Sequence, residues 1–338
     1  MSSVLERKLI VVTGKGGVGK TTMSIAIGLL AAQRGLQTIV VELSGVGSDG
    51  AAAGRLAALL GHSAPPAHGV EVELGERLWG LSIDRDRVLS EWLRALSGRV
   101  PARVLTSSSS FQYLLAAAPG AREMLSMVKI WELAKGRRPQ ERRPQAGAAE
   151  PAHSTGRYDL VVLDAPATGH ALALLRSPQM FSAIARVGPI ARQARQVREL
   201  LEDPADSAYL GVAQATEMAT SEVLELREDM RGELGRDLDA IVVNGTLPRR
   251  FEGGELSLIA KLDGKPPVGK AERAGTHAVT HSARRAALAV HERARAQQGQ
   301  LARLRRQEVP VLTVPLAFQA ELDLPAVQRI ADLLGRRL

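Results

Sequence analysis

The chain has 338 residues, of which 45% are hydrophobic and 24% are charged, proportions typical of a soluble globular protein. It contains no cysteine, which excludes disulfides, thiolate zinc sites and cysteine-ligated iron–sulfur clusters. No apolar stretch approaches the roughly 20 residues that span a bilayer. The first residues, MSSVLERKLIVV, lack the pattern of an export signal, so we expect a cytoplasmic protein.

Basic residues outnumber acidic ones by 44 to 36, which gives a formal net charge of +8. The excess is concentrated at 136–145 and at 284–306. The first stretch is rich in Pro and Gln and predicts a solvated loop. The second interleaves Arg with Ala and Leu, which indicates either the solvent face of an Ala-rich helix or a contact with a polyanion. The overall charge requires neither nucleic acid nor membrane, and we expect contact with neither.

Short β-branched runs, most of them apolar on both faces, recur along the chain. Such runs are typical of parallel strands covered by helices on both sides. They lie at Leu9–Thr13, Thr38–Leu43, Leu78–Ile83, Tyr158–Asp164, Leu238–Asn244 and Val311–Pro315. The segments between them are long and helical in pattern. The sequence therefore predicts an α/β fold with a doubly wound, mostly parallel sheet.

The spacing of these runs also predicts the domain organisation. We expect residues 7–338 to form a single domain. Two intervening stretches, 85–135 and 171–235, are too long for simple crossovers and are predicted to be helical insertions. Two others, 136–157 and 250–283, are rich in Gly, Pro or charge and are predicted to be flexible loops.

The first predicted strand leads into a glycine-rich motif, GKGGVGKTT, which is followed at once by a helical pattern. Gly, four residues, then Gly-Lys-Thr in this context is a P-loop, whose backbone N–H groups and helix N-terminus bind phosphate. We expect Lys20 to bridge the β- and γ-phosphates of ATP and Thr21 to ligate Mg²⁺. The residues predicted to bind ATP or ADP are Gly14, Lys15, Gly16, Gly17, Val18, Gly19, Lys20, Thr21 and Thr22.

A second motif, DLVVLDAPATGH, places Asp164 at the end of a buried strand. A carboxylate at this position of a P-loop protein holds Mg²⁺, usually through water. Asp164 is therefore predicted to be a metal-site residue together with Thr21.

Lys15, directly after the first glycine, together with APATGH after Asp164, closely resembles the arsenical-pump and tail-anchored-protein-targeting ATPase family. That family belongs to the P-loop NTPases with a deviant Walker A motif. The resemblance implies that Lys15 reaches across a dimer interface to the nucleotide of the other subunit. It also implies that Thr168, Gly169 and His170 are switch residues that sense the γ-phosphate.

Two further features match the family pattern. Asn244 ends a buried strand at the position whose amide reads the adenine edge, and Pro315 and Leu316 begin the loop that covers the base. The resemblance also implies partners: a homodimer or a heterodimer with a paralogous ATPase, and a client or partner protein. Because the chain has no cysteine, we exclude arsenite binding through thiols and a Cys-x-x-Cys zinc clasp.

We thus expect a Mg·ATP-dependent dimeric switch, with its client surface on the two helical insertions. An alternative is a MinD- or ParA-like spatial organiser that binds membrane or DNA in its ATP state. In that alternative Leu324–Leu338 would be a membrane-surface helix, although the same segment fits a last core helix.

The family carries Asp-Pro-Ala-His after its second strand, with the Asp positioning the attacking water, whereas this chain reads VELSGVGSD at 41–49. Ungapped counting from Lys20 puts Ser44 at the Asp position, and matching the trailing Ser-Asp puts Glu42 there. We favour Ser44, since an insertion inside the helix or strand would turn its apolar face off the core. Glu42 is then expected near the Mg²⁺ shell. Because serine is no base at neutral pH, we predict weak intrinsic hydrolysis, unless a paralogous partner supplies a competent site.

Overall fold

The structure is a computed structural model that describes residues 4–44, 69–89, 91, 120–135, 158–184, 189–261, 271–319 and 322–337. The predicted loop at 136–157 lies outside the described residues, as does most of the predicted insertion at 85–135. Near the ends of that insertion, residues 85–89 and 120–135 are described.

One eight-stranded sheet forms the centre of the molecule. Its strands are β1 (Leu9–Gly14), β2 (Thr38–Ser44), β3 (Glu71–Gly75), β4 (Leu78–Asp84), β5 (Leu160–Ala167), β6 (Ser207–Gln214), β7 (Ala240–Thr246) and β8 (Val311–Pro315). The spatial order is β3-β4-β2-β5-β1-β6-β7-β8, and every neighbouring pair is parallel except β3 with β4. The predicted α/β class with a mostly parallel sheet is confirmed.

Helices cover both faces of this sheet. Successive side chains of a strand point to opposite faces, and all six residues of β1 are nevertheless buried. The helices are α1 (Lys20–Gln33), α2 (Ala121–Ala134), α3 (Thr168–Ile184), α4 (Pro189–Glu202), α5 (Glu217–Leu234), α6 (Gly253–Lys261), α7 (Ala271–Arg305) and α8 (Leu324–Gly335), with a 3-10 turn at Val4–Glu6. Within the described ranges, no helix is both long and apolar enough to cross a membrane.

The prediction of a wholly helical insertion at 171–235 is wrong at residues 207–214. These residues form β6, which pairs with β1 on one side and with β7 on the other. The segment reads SAYLGVAQ, and a short apolar run of this kind does not distinguish a buried strand from a buried helix by periodicity. The rest of the insertion is helical, as predicted, in α3, α4 and α5.

The prediction of a flexible loop at 250–283 is also wrong over most of its length. Residues 253–261 form α6, and α7 begins at Ala271. The residues of α7 are rich in Ala and Arg, which favour helix, but much of the helix is exposed and carries no broad apolar stripe. The polarity of the segment therefore concealed its helical structure.

The described helices of the two insertions bury their apolar faces against one another. α2, α3 and α4 are in mutual contact. Their buried residues include Met124, Met127, Ile130, Leu174, Leu175, Phe181, Ala194, Val197, Leu200 and Leu201. The expected client surface is therefore not carried by these side chains. α8 likewise packs Val327, Ile330 and Leu334 inward and contacts α1, so it is a core helix and not a membrane-surface helix.

Candidate nucleotide-binding site

The predicted P-loop connects β1 to α1 at the carboxyl edge of the parallel strands, where ligands bind in sheets of this type. Val18 is buried, whereas Gly16 and Gly17 are exposed. Gly19 precedes α1 with a φ of 98°, in the left-handed region that favours glycine. A Cβ atom at Gly19 would lie 2.3 Å from Asn244 Nδ2, so this position also requires glycine because of a close approach.

Lys20 begins α1 with its side chain folded over the loop. Its Nζ donates a hydrogen bond of 2.9 Å to the carbonyl oxygen of Lys15. Burial lowers the pKa of Lys20, and the nearby carboxylates of Asp164 and Glu222 oppose that shift. A cation that is partly desolvated beside the P-loop is suited to an anionic ligand, which would favour its charged form.

Asp164 and Thr21 lie side by side at the end of β5 and the start of α1. The Thr21 hydroxyl donates a hydrogen bond of 2.6 Å to Asp164 Oδ2, and Ser24 Oγ donates one of 3.2 Å to Oδ1. Asp164 is buried, with 6% of its surface exposed. These hard oxygen donors fit Mg²⁺, which prefers carboxylate and hydroxyl oxygens and retains several waters. Ser24, one helical turn after Lys20, was not among the predicted site residues.

Glu42 lies on β2 directly beside Asp164 on β5 in the parallel register. Paired residues of parallel strands point to the same face of a sheet, and Glu42 is buried as well. Two acidic side chains thus share one small region under the P-loop. Ser44 ends β2 in register with Asp84, and its side chain is outside the described part of the structure.

Lys15 is held by Glu222, which was not among the predicted site residues. Its Nζ lies 2.9 Å from Glu222 Oε2, on α5. The other carboxylate oxygen, Oε1, accepts a hydrogen bond of 3.1 Å from Thr168 Oγ1, at the start of α3. One carboxylate therefore joins the lysine of the P-loop to the predicted switch segment. Gly169 and His170, the other predicted switch residues, are exposed.

Asn244 contacts the P-loop directly. Its Nδ2 donates a hydrogen bond of 2.9 Å to the carbonyl oxygen of Val18. The loop after Asn244 is attached to α7, because Gln297 accepts from Leu247 N at 2.7 Å and donates to Gly245 O at 3.1 Å. No simple sequence signal marks Gln297, which lies in an Ala- and Arg-rich helix.

Pro315 and Leu316 adjoin this loop. Leu316 N donates to the carbonyl oxygen of Thr246 at 3.0 Å, and the Leu316 side chain is 43% exposed. The structure therefore brings both predicted base-covering residues next to the strand end that carries Asn244.

The basic stretch at 284–306 is the second half of α7. Arg285, Arg293, Arg295 and Arg305 are exposed, whereas Ala294, Leu301 and Leu304 face the core. Arg295 also lines a cleft of about 710 Å³ together with Arg249 and Arg250. The helical prediction for this stretch is confirmed, and its arginines, except the half-buried Arg284, are exposed.

A strand–P-loop–helix unit, a carboxylate at the end of a neighbouring strand and a mostly parallel sheet together define a P-loop NTPase. The sequence matches the family described as Anion-transporting ATPase over residues 7–192, just over half of the chain. The chain belongs to this family, which includes the arsenical-pump ATPases that its motifs resemble.

Curated relatives agree with this assignment. ATPase BagA from Mycobacterium tuberculosis (strain ATCC 25618 / H37Rv) is 27% identical over 262 residues, which cover 75% of this chain and 69% of that protein. A putative arsenical pump-driving ATPase from Halobacterium salinarum is 25% identical over 256 residues, covering 73% of this chain and 37% of that protein. The arsenical pump-driving ATPase of Acidiphilium multivorum is 25% identical over 254 residues, covering 70% and 39%. The chain thus spans well under half the length of these two pump proteins. The family match and the ATPase relatives together identify it as an ATPase of this family.

Proposed function

We propose that the protein is a Mg·ATP-dependent dimeric ATPase in which nucleotide-driven closure controls the handling of a client or partner protein. The second subunit is another copy of this chain or a paralogous ATPase. The observation that carries the proposal is the position of Lys15, whose side chain leaves the P-loop beside exposed glycines and is itself 36% exposed. A second subunit that faces this edge could receive the lysine.

The residues that we propose to bind nucleotide lie around this edge. The backbone of Gly14–Thr22 and the ammonium group of Lys20 would hold the phosphates, and Thr21 and Asp164 would hold Mg²⁺, with Asp164 acting through water. When bound, the ion would supply charge neutralisation for the transferred phosphoryl group. Asn244, Pro315 and Leu316 would border the base.

The chemistry left to this chain is positioning and charge stabilisation, since phosphoryl transfer requires little covalent participation by protein groups. Lys20 is held by Lys15 O in an orientation along the loop, and a bound phosphate would compete for the same ammonium group. Glu42, beside Asp164, would contribute to the acidic region that surrounds the metal waters. Arsenite activation through cysteines is excluded from the proposal, because the chain has no thiol.

The dimer is tested with the wild type and Lys15→Ala, each measured by small-angle scattering with Mg²⁺ and a non-hydrolysable ATP analogue. We expect the wild type to form a compact dimer, and Lys15→Ala to bind the analogue without closing. Lys8→Ala is the matched control. Lys8 lies just before β1, is 22% exposed and is paired with Asp206 at 3.5 Å, far along the strand from the P-loop. Identical closure of wild type and Lys15→Ala would refute the proposed role of Lys15.

The partner and the client are tested separately. Nucleotide-trapped protein would be isolated from its host and its bound proteins identified, with Lys20→Ala as the control that cannot be trapped. Proteins bound equally by wild type and Lys20→Ala would contradict nucleotide-controlled handling.

A further inference from the structure

Glu222 is the one described side chain that contacts both the P-loop lysine and the switch segment. Oε2 lies 2.9 Å from Lys15 Nζ, and Oε1 accepts from Thr168 Oγ1 at 3.1 Å. Lys15 follows β1, Thr168 follows β5, and Glu222 lies on α5, which follows β6. Three separate chain segments therefore meet at a single carboxylate.

This contact contributes little to holding the fold together. The side chains of Lys15 and Glu222 are 36% and 29% exposed, and ion pairs between partly exposed side chains are weak because water competes for the charge of Lys15, although Glu222 Oε2 itself is buried. α5 is attached to the core by other residues, namely the buried Val223, Leu226 and Met230. It also has its own N-cap, since the Thr216 side chain accepts from Ala219 N at 3.4 Å. A weak contact between functional segments is suited to being broken and remade.

We infer that Glu222 is a positioning residue that retains Lys15 and Thr168 within their own chain, and that dimer closure requires the release of both from its carboxylate. The inference rests on the proposed function, in which Lys15 must extend to a second subunit. Lys15 cannot pair with Glu222 of its own chain and with a nucleotide in another chain in the same conformation. The two states are therefore mutually exclusive.

Nucleotide binding would favour release for electrostatic reasons. The carboxylate of Glu222 lies close enough to the P-loop to help keep Lys20 charged. Phosphates in the same loop would repel this carboxylate and attract both lysines, since like charges at short range oppose each other. Once Lys15 leaves, Glu222 loses its cation, and the hydrogen bond from Thr168 is the remaining described link, which must also break before the dimer closes. Glu222 thereby couples the two segments, so that they change position together.

The matched variants are Glu222→Gln and Glu225→Gln. Both remove one negative charge from α5, but Glu225 is exposed and has no described ion pair or hydrogen bond. Full-length proteins would be titrated with a non-hydrolysable ATP analogue and Mg²⁺, and the dimer fraction measured by analytical ultracentrifugation. We expect Glu222→Gln to reach half-dimerisation at an analogue concentration about two- to fivefold lower than wild type, the range set by an exposed ion pair. Glu225→Gln should follow the wild type.

A second measurement separates release from loss of structure. Amide hydrogen exchange at 168–172, in protein without nucleotide, should be faster in Glu222→Gln than in Glu225→Gln, while thermal unfolding midpoints of the two variants agree. Equal dimerisation midpoints in wild type, Glu222→Gln and Glu225→Gln would overturn the inference and leave the proposed function intact. A wild type that stays monomeric at saturating analogue would instead refute the proposed function, and the inference with it.

Discussion

The hydroxyl of Thr21 donates a hydrogen bond of 2.6 Å to the carboxylate of Asp164, across 143 residues of sequence. Ser24 reaches the other oxygen of the same carboxylate, so the first turn of α1 is attached to the end of β5 at two points. The two residues predicted to hold Mg²⁺ are thus fixed relative to each other and to the P-loop. This arrangement supplies oxygen donors whose positions need little reorganisation on binding.

Asp164→Asn should therefore weaken ATP binding in the presence of Mg²⁺ far more than in its absence. The amide removes the negative charge that attracts the ion but preserves the size of the side chain and its capacity to accept from Thr21. We expect the affinity advantage that Mg²⁺ confers on ATP to fall at least tenfold, which isothermal titration calorimetry would measure. Ser24→Ala is the control, because it removes a contact to Asp164 and leaves the charge. An unchanged Mg²⁺ dependence in Asp164→Asn would contradict the metal site.

Gly19→Ala should destabilise the junction of the P-loop and α1. The new Cβ would lie 2.3 Å from Asn244 Nδ2, at a φ of 98°, and would break the hydrogen bond from Asn244 to Val18 O. Gly17→Ala is the matched control, since its φ of 81° is similar but nothing lies within 4 Å of its Cβ. We expect the control to lose about 1 kcal/mol from the left-handed conformation alone, and Gly19→Ala to lose about 1–3 kcal/mol more. Urea unfolding would measure both, and equal losses would show that the contact with Asn244 is unimportant.

Lys20 makes ATP binding sensitive to pH. Burial lowers the pKa of Lys20, and bound phosphate would raise it again by favouring the ammonium form. ATP binding should therefore take up protons at pH values between the lowered pKa and the ordinary lysine value of about 10.4, and affinity should fall as pH rises through that interval. Calorimetry in buffers of different ionisation enthalpy would measure the uptake. Lys15→Ala should show the same uptake, since it retains Lys20; proton-neutral binding throughout the interval would exclude this role of Lys20.

Most of the strands that were predicted are rich in β-branched residues, although β4 reads LWGLSID and was predicted with only one; β3 and β6 were missed. β1, β2, β5 and β7 read as LIVV, TIVV, LVVL and AIVV, which leave no doubt about a buried parallel strand. β6 contains Ala, Gly and Tyr instead. Its Gly211 lies under α5, and a Cβ atom at this position would come within 2.9 Å of Val223 Cγ2. The strand therefore has glycine here because the helix packs closely against it. This packing contact cannot be inferred from the sequence of β6 alone.

The residues of the candidate site likewise fall into those that the sequence predicts and those that it does not. The P-loop and Asp164 were predictable because their residue types and spacing follow from phosphate and metal chemistry. Ser24, Glu222 and Gln297 were not, because each acts through a partner distant in sequence: Asp164, Lys15 and the backbone at 245–247. A lone serine or glutamate on a helix is typically a solvated residue, and only the packing of α1 and α5 distinguishes these two.

Arg227 should be important for stability, although it is far from the P-loop in sequence. It is 4% exposed and holds Asp237 through two hydrogen bonds of 2.7 and 2.9 Å, and it also donates to Glu308 O at 3.3 Å. Arg227→Ala leaves these acceptors without their buried donor, and we expect a loss of about 3 kcal/mol in unfolding free energy. Arg231→Ala is the control, because Arg231 contacts the same carboxylate but is 50% exposed. Its loss should be below about 1 kcal/mol.

The same pair predicts an acid dependence. Burial tends to raise the pKa of Asp237, but hydrogen bonds from Arg227 and Arg231 outweigh burial and leave the pKa below its usual value. A carboxylate whose pKa is lowered on folding contributes stability above its unfolded pKa of about 3.9, and this contribution is lost as pH falls through the folded pKa. Stability measured between pH 5 and pH 2.5, about one unit to either side of that value, should therefore fall less steeply in Arg227→Ala than in wild type. Parallel curves would rule out the pair as the cause.

Hydrolysis depends on which residue near the end of β2 positions the attacking water. The structure puts Glu42 level with Asp164, inside the sheet, and puts Ser44 two residues further out, at the strand end in register with Asp84. An attacking water must approach from the open edge of the P-loop, so the geometry of β2 favours position 44 over the buried position 42 as the one that could reach it. Because serine supplies no base at neutral pH, we predict slow steady-state hydrolysis by the isolated protein, and an increase of at least tenfold in Ser44→Asp, since general-base assistance contributes about 10²–10⁴-fold.

Ser44→Asn tests the role of charge, because asparagine matches aspartate in size but is not a base, and it should leave the rate near that of wild type. Glu42→Gln should lower affinity for Mg·ATP more than it lowers the rate at saturation, as expected of a residue near the metal waters and not of one that activates water. The measurement is phosphate release under steady-state conditions for all four proteins. Rapid hydrolysis by the wild type that is abolished in Glu42→Gln, with Ser44→Asp no faster, would show that Glu42 is the catalytic carboxylate and that the favoured register is wrong.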